Sequence, residues 1–124
     1  MLSRSKTAAV AAVFAAGVPF AAQAGGFVCE LNRECVNNAC SEVDFSPYID
    51  TDWGKIVVTN YGPEMEMDLI PDNNGKFTLY ANLPNGGLSI IVVNEDTSAV
   101  FTTFGTRGGS ARVISIFGTC EPRG

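Results

Sequence analysis

The sequence contains no histidine, and this absence excludes several kinds of active site. Ser-His-Asp and Cys-His arrangements need an imidazole as their general base. The four cysteines include no Cys-x-x-Cys pair, so zinc and thioredoxin-like redox chemistry both lack their usual ligands. We therefore expect a protein that is not an enzyme, with structural cysteines, no metal site and no cofactor.

Basic residues are also scarce, with 8 lysines and arginines against 13 aspartates and glutamates. A protein that binds nucleic acid needs a basic track along the phosphates, and an anionic membrane surface also repels an acidic chain. Acidity does favour encounter with a cationic protein through long-range attraction. The expected partner is thus a cationic protein, with simple solubility as the alternative role of the charge.

No apolar run in the sequence is long enough to span a bilayer, which takes about 20 residues. The uncharged, alanine-rich run over residues 7–20 follows Arg4 and Lys6 and precedes Ala22-Gln23-Ala24, a small-x-small cleavage signal. Gly25 stands where a lipid-anchored protein would need cysteine. These features predict a cleaved secretory signal peptide over residues 1–24 and no stable membrane anchor.

Cleavage after Ala24 would leave residues 25–124 as a single domain, periplasmic or secreted, with six basic and thirteen acidic residues and a net charge of −7. A domain of this size buries only somewhat over ~60% of its unfolded surface, so its core alone gives modest stability. In an oxidising compartment, four cysteines then predict two stabilising disulfides.

Four cysteines allow three pairings, of which we expect Cys35–Cys40 together with Cys29–Cys120. Asn37 and Asn38 suit a tight hairpin turn, because asparagine tolerates positive φ. The second bond would join the first strand to the last. On the loop-entropy model, closing the long Cys29–Cys120 loop stabilises the fold by roughly 4–5 kcal/mol, and closing the short Cys35–Cys40 loop by roughly 2 kcal/mol.

The register of this first hairpin stays open. A two-residue turn places Cys35 opposite Cys40, but it also pairs Leu31 with Asp44 and so mixes buried and exposed faces. A three-residue turn pairs Leu31 with Phe45, but it offsets the two cysteines. A β-bulge between these positions would reconcile the two registers.

Short apolar segments separated by Asn-, Gly- and Pro-rich turns predict strands throughout residues 25–124. Met65–Ile70 and Phe77–Asn82 alternate apolar and polar residues with period two. Leu88–Val93 is apolar except for one serine, which predicts a strand covered on both faces. The predicted strands are Phe27–Cys35, Cys40–Tyr48, Trp53–Thr59, Met65–Ile70, Phe77–Asn82, Leu88–Val93, Ala99–Thr106 and Arg112–Gly118.

About eight strands joined by short hairpins predict an all-β fold, a single-domain antiparallel meander that closes into a small barrel. A two-sheet sandwich is the alternative. The interior of such a barrel either fills with side chains, as we expect here, or holds one small apolar ligand. The candidate interior residues are Phe45, Trp53, Met65, Met67, Leu69, Phe77, Leu79, Phe101 and Phe117.

Two groups of acidic residues invite a functional interpretation. The alternating carboxylates of Glu64–Asp68 have the spacing of either a glycosidase acid pair or a solvated strand face. The second group, Asp50, Asp52 and Asp72, could either bind calcium or form hydrogen bonds within turns. The sequence has no Asp-x-Asp-x-Asp-Gly loop, which is the usual calcium-binding pattern. We expect the solvated face and the turns.

The segment Phe104–Val113, followed by Cys120, resembles the C-terminal segment of bacterial C-type lysozyme inhibitors. These are small exported eight-stranded barrels with an aromatic-x-Ser/Thr-Lys-Gly-x-x-Ala-x-aliphatic run before a terminal cysteine. The matching positions here are Thr106, Arg107, Gly108 and Ala111, with arginine in place of lysine. The opening with three cysteines also resembles that of small exported proteins of alphaproteobacteria.

The resemblance implies that the loop 105–110 enters a lysozyme cleft beside a serine-containing hairpin and occupies the catalytic acids. The family's Ser-Gly-x-x-Tyr segment has no clear counterpart, and Ser89 and Ser98 are the candidate serines. The implied partner-binding residues are Thr106, Arg107, Gly108 and Ser89. The alternatives are a plain Gly-rich turn in a barrel that carries an apolar ligand, or a structural protein of the cell envelope.

Overall fold

The computed structural model describes residues 25–52, 54–71, 74–107 and 109–123, and its regular structure is entirely β, as predicted. Within these ranges, no helix has the length and hydropathy needed to cross a membrane. The predicted signal peptide, residues 1–24, lies outside the described residues. The strands are β1 (Phe27–Val36), β2 (Ala39–Phe45), β3 (Tyr48–Asp50), β4 (Ile56–Thr59), β5 (Met65–Ile70), β6 (Phe77–Asn82), β7 (Leu88–Val93), β8 (Ser98–Arg107) and β9 (Ser110–Pro122).

The predicted closed barrel is confirmed. From β3 to β9, each strand pairs antiparallel with the next along the chain, and β1 pairs with β3 on one edge and with β9 on the other. Eight strands therefore form the closed wall, while β2 is an additional strand that pairs with β1 alone. The count exceeds the predicted eight because Ser46 and Pro47 interrupt the predicted strand Cys40–Tyr48 and divide it into β2 and β3.

Both predicted disulfides are present. Cys29 in β1 lies directly opposite Cys120 in β9, and Cys35 lies opposite Cys40 across the β1–β2 hairpin. In each pair the Cα atoms are 4.0 Å apart. The first bond therefore crosses the seam at which the barrel closes, and the second bond fixes the hairpin that extends from it.

A β-bulge resolves the open register of the first hairpin. Cys35 pairs with Cys40 and Leu31 pairs with Phe45, and the register shifts by one residue between Leu31 and Arg33. The turn at the tip has Asn37 at a φ of +54°, as its asparagine composition predicts. Both candidate registers therefore occur in this hairpin, one on each side of the bulge.

The barrel interior is a single cluster of buried side chains. The ring centroids of Phe27 and Phe77 are 4.9 Å apart, and those of Tyr61 and Phe101 are 5.1 Å apart. The buried members are Phe27, Cys29, Leu31, Ile49, Val58, Met67, Phe77, Leu79, Ala81, Ile91, Val93, Ala99, Phe101, Ile116 and Cys120.

Four of the nine candidate interior residues differ from expectation or cannot be placed. Phe45 and Leu69 pair with the buried Leu31 and Leu79, yet they remain 36% and 39% exposed. Phe117 is 40% exposed on the outer face of the barrel, because strand alternation directs its neighbour Ile116 inward. Trp53 lies outside the described residues.

The prediction that β7 is covered on both faces is wrong for its outer face. Ser89, Ile91 and Val93 point inward and are buried, whereas Leu88, Ile90 and Val92 alternate with them and are only half-buried. A closed barrel covers one face of each strand. The continuous apolar sequence of β7 therefore has no full explanation within one barrel.

Candidate functional site

The candidate site is the β8–β9 hairpin. Thr106 pairs with Ala111 and Arg107 pairs with Ser110, so the chain reverses between Arg107 and Ser110. Gly109 has a φ of +82°, a conformation that glycine adopts without the steric cost other residues incur. Glycine at position 109 therefore suits this turn.

The hairpin extends beyond the strands on either side of it. β7 accompanies β8 only as far as the Leu88–Phe104 pair, and β1 accompanies β9 only as far as the Val36–Ile114 pair. Residues 105–112, except Gly108, which lies outside the described residues, continue as a two-stranded ribbon. Three residue steps at about 3.4 Å each carry the ribbon roughly 10 Å past its neighbours.

Asn37 fastens the base of this ribbon to the tip of the β1–β2 hairpin. The backbone N–H of Asn37 donates to the Val113 carbonyl oxygen at 2.7 Å, and the Val113 N–H donates to Oδ1 of Asn37 at 3.0 Å. The two hydrogen bonds imitate one further step of strand pairing. The Cys35–Cys40 bond constrains the same hairpin tip. The base of the ribbon at Val113 is therefore held by a disulfide-constrained hairpin.

The structure brings the predicted site residues together only in part. Thr106 is exposed on the ribbon, and the backbone of Arg107 lies next to it in β8. Ser89 lies in β7 between Ala81 and Thr103, and only 3% of it is exposed. In this position Ser89 offers no surface to a partner, because strand alternation directs its side chain into the barrel.

Arg112 is a further residue of the ribbon that the predicted site omitted. It pairs with Gly105, is half-exposed, and forms no ion pair within the described part of the chain. Arg112 lies two residues after Ser110, which pairs with Arg107 across the hairpin. The two arginines therefore belong to the same short ribbon. The period-two spacing of Ser110 and Arg112 in the sequence is the signal that could have identified it.

Tyr61, in the β4–β5 loop at the same end of the barrel as the ribbon, packs against the buried core. Its ring packs edge-on against Phe101 and lies 5.9 Å from the ring of Phe45. Burial raises the pKa of the Tyr61 hydroxyl to about 12, and the nearby Glu34 carboxylate adds to the rise. Tyr61 therefore stays neutral at physiological pH and acts as a packing residue.

The acidic residues occupy exposed faces and turns. The carboxylates of Glu64–Asp68 are exposed, which matches the predicted solvated face. Oδ1 of Asp50 accepts the N–H of Asp52, as expected for turn chemistry, whereas Oδ1 of Asp52 accepts the N–H of Gly25, which is 27 residues away in sequence. Asp72 lies outside the described residues, and among those described no cluster of three or more potential metal ligands occurs.

Charge is divided unequally between the two halves of the barrel. Residues 25–76, which include β1–β5, contain three basic and ten acidic residues, a net charge of −7. Residues 77–124, which include β6–β9, contain three of each and are neutral. The ribbon therefore projects from the neutral half, beside a strongly acidic wall.

A surface depression of about 630 Å³ lies along the β1–β2 hairpin, next to the bulge. Its lining residues are Asn32, Arg33, Cys40, Ser41, Glu42 and Val43. It opens to solvent outside the barrel, and the buried core cluster is not part of it.

Comparison with known proteins found no matching family model, no matching curated protein and no matching solved structure.

Proposed function

We propose that this protein is an exported, non-enzymatic binding protein that inhibits a lysozyme-type muramidase by inserting its β8–β9 hairpin into the catalytic cleft. Residues 1–24 act as the secretory signal, and the protein works in the periplasm or outside the cell. The two disulfides are consistent with an oxidising, exported compartment.

The observation that carries the proposal is the projecting ribbon over residues 105–112 with its two arginines. Muramidases of this kind cleave glycosidic bonds with a pair of carboxylates in a cleft. A guanidinium binds a carboxylate through two parallel charge-assisted hydrogen bonds. A narrow two-stranded ribbon tipped by Arg107 has the shape and the charge to reach such carboxylates.

The rigid base of the ribbon supports the same proposal. Binding through a flexible loop loses affinity to the entropy of ordering the loop. Here the Asn37–Val113 hydrogen bonds and the Cys35–Cys40 bond order the surroundings of the ribbon before any partner arrives. The acidic wall of β1–β5 would speed encounter with a cationic lysozyme.

The packed interior favours this proposal over a carrier of a small apolar ligand. The core side chains from Phe27 to Cys120 form one continuous cluster, and its largest members, Phe27, Phe77 and Phe101, are at most 3% exposed. An apolar ligand would have to displace these rings. A purely structural role in the envelope would give the projecting ribbon no function.

The test is inhibition of a C-type lysozyme by the oxidised protein and by two arginine variants. Arg107→Ala should weaken inhibition about 30-fold, the effect of losing about 2 kcal/mol at a central contact. Arg33→Ala, an exposed arginine on β1, is the matched control and should leave inhibition unchanged. No inhibition by the folded, fully oxidised protein, or equal losses in both variants, would overturn the proposal for this enzyme class.

A further inference from the structure

The outer face of β6–β9 is an uncharged, largely apolar surface. Strand register arranges twelve outward residues in three rows of four, one residue from each strand in every row. None of the twelve is charged, and eight are aliphatic or aromatic. The rows are Thr78–Val92–Val100–Phe117, Tyr80–Ile90–Thr102–Ser115 and Asn82–Leu88–Phe104–Val113.

This surface, which we call the apolar face, is open in the described structure. Phe104 and Phe117 are each 40% exposed, and Leu88, Ile90 and Val92 are half-buried. Alternating polar residues are the usual composition of the outer face of a barrel in water, whereas apolar residues on both faces are typical of covered strands. The sequence of β7 therefore indicates that another surface covers the apolar face.

The distribution of charge favours a second copy of the chain as the covering surface. The net charge of −7 lies entirely in the half of the chain that includes β1–β5, with Asp68 next to Tyr80 at one border of the apolar face. Two copies of an acidic chain repel each other in most orientations, but they meet without juxtaposed acids when both use the apolar face. The acidic walls then point away from each other. The apolar face has no charged group with which to recognise a charged partner.

We infer that the apolar face is the interface of a homodimer, in which a two-fold axis brings the same face of both copies together. Phe104 and Phe117, in the two outer rows of the apolar face, are each 40% exposed and would be the aromatic contacts of each half of the interface. The hydroxyls of Thr102 and Ser115, 3.2 Å apart, bond to each other within one copy, which lowers the cost of burying them. This inference does not rest on the proposed function.

The size of the apolar face determines the strength of the dimer. Four strands about 4.8 Å apart and six residue steps of about 3.4 Å give a face of roughly 19 by 20 Å. Stable interfaces bury about 800 Å² on each partner, which is more than this face supplies. The dimer is therefore weak, and its population depends on protein concentration in the micromolar range and above.

The experiment is sedimentation analysis of the oxidised protein over a wide concentration series, with three single variants. Ile90→Lys places a charge in the middle of the apolar face and should raise the dimer dissociation constant more than about tenfold. Thr102→Lys does the same without removing an apolar side chain, which guards against a folding defect in the first variant. Val57→Lys, on the outer face of β4 between Asp50 and Glu66, is the matched control and should preserve the dimer.

Salt provides a second readout. Added salt screens the repulsion between the two acidic walls and should strengthen an apolar dimer, whereas it weakens association through opposite charges. A protein that stays monomeric up to millimolar concentration overturns the inference. So does a dimer that persists in both Ile90→Lys and Thr102→Lys while circular dichroism shows intact folds.

Discussion

Thr97 holds a backbone conformation that β-branched residues rarely adopt. Its φ is +72° in the β7–β8 turn, where its N–H donates to the Asn94 carbonyl oxygen and its own carbonyl oxygen accepts the N–H of Cys120. The left-handed region costs a branched side chain of order 1–3 kcal/mol. The turn therefore stores strain next to the seam of the barrel.

Replacing this residue should release the strain. Thr97→Gly is expected to raise the free energy of unfolding by about 1 kcal/mol, because glycine adopts positive φ freely and the strain outweighs its larger unfolded-state entropy. Equilibrium denaturation measures the change. Thr119→Gly, at an extended position of β9, is the control and should instead lower stability by about 0.5–1 kcal/mol. A decrease in Thr97→Gly would show that the turn is not strained.

Asp96 in the same turn should make a pH-dependent contribution to stability. Hydrogen bonds from the hydroxyl of Ser98 at 2.6 Å and its N–H at 3.0 Å hold the pKa of the Asp96 carboxyl below its ordinary 3.8. Because the folded pKa is depressed, the contribution is present above pH 3.8 and is lost as the pH falls through the lower folded value. Ser98→Ala should raise the pKa of Asp96 in an NMR titration, whereas Ser115→Ala should leave that pKa unchanged.

At the scale of elements, the Asn37 contact joins two hairpins that are distant in sequence. Asn37→Gly keeps the positive φ of the turn but removes the Oδ1 acceptor of the Val113 N–H. We expect the free energy of unfolding to fall by about 1 kcal/mol, which is typical of one hydrogen bond, and the Val113 amide hydrogen to exchange faster. Asn38→Gly in the same turn is the control. Unchanged exchange at Val113 in Asn37→Gly would contradict the role given to this contact.

The order of the strands and their approximate limits could be predicted from apolar–polar alternation and turn residues, but local irregularities could not. The conflict between the Cys35–Cys40 and Leu31–Phe45 pairings indicated a bulge, yet only the pairing of β1 with β9 as well as β2 locates it next to Asn32. Local sequence carries no information on that second partner. The break at Ser46-Pro47 was missed because apolar alternation continues on both sides of it.

The candidate site was predictable only as far as a family resemblance reached. The resemblance selected Thr106 and Arg107, which the hairpin does bring together. It also offered Ser89, whose burial follows from the register of β7 against β6 and β8. Whether a serine in an apolar strand faces in or out depends on that register, because a shift of one residue exchanges the two faces.

For the molecule as a whole, the two disulfides should differ in their effect on stability. Cys29 and Cys120 are 91 residues apart, and Cys35 and Cys40 are 5 apart. Loop entropy predicts that removing the first bond by a double alanine substitution costs about 4–5 kcal/mol, against roughly 2 kcal/mol for the second. Thermal or denaturant unfolding of the two double variants gives the comparison. Equal losses of unfolding free energy in the two double variants would mean that native packing around the disulfides, and not loop closure, dominates their contribution to stability.

Closure of the barrel through the first and last strands also has a consequence for the order of folding. Phe27 pairs with Pro122, and the N–H of Arg123 donates to the Gly26 carbonyl oxygen, so the two ends of the domain lie side by side. The β1–β2 hairpin and the hairpins from β3 to β9 can form from local contacts, but the pairing of β1 with β9 joins strands up to about 90 residues apart, and such distant contacts make folding slow. Until then Cys29 has only Cys35 and Cys40 within easy reach. Refolding of the reduced chain should therefore pass through mispaired disulfides, and a disulfide isomerase should accelerate its last step.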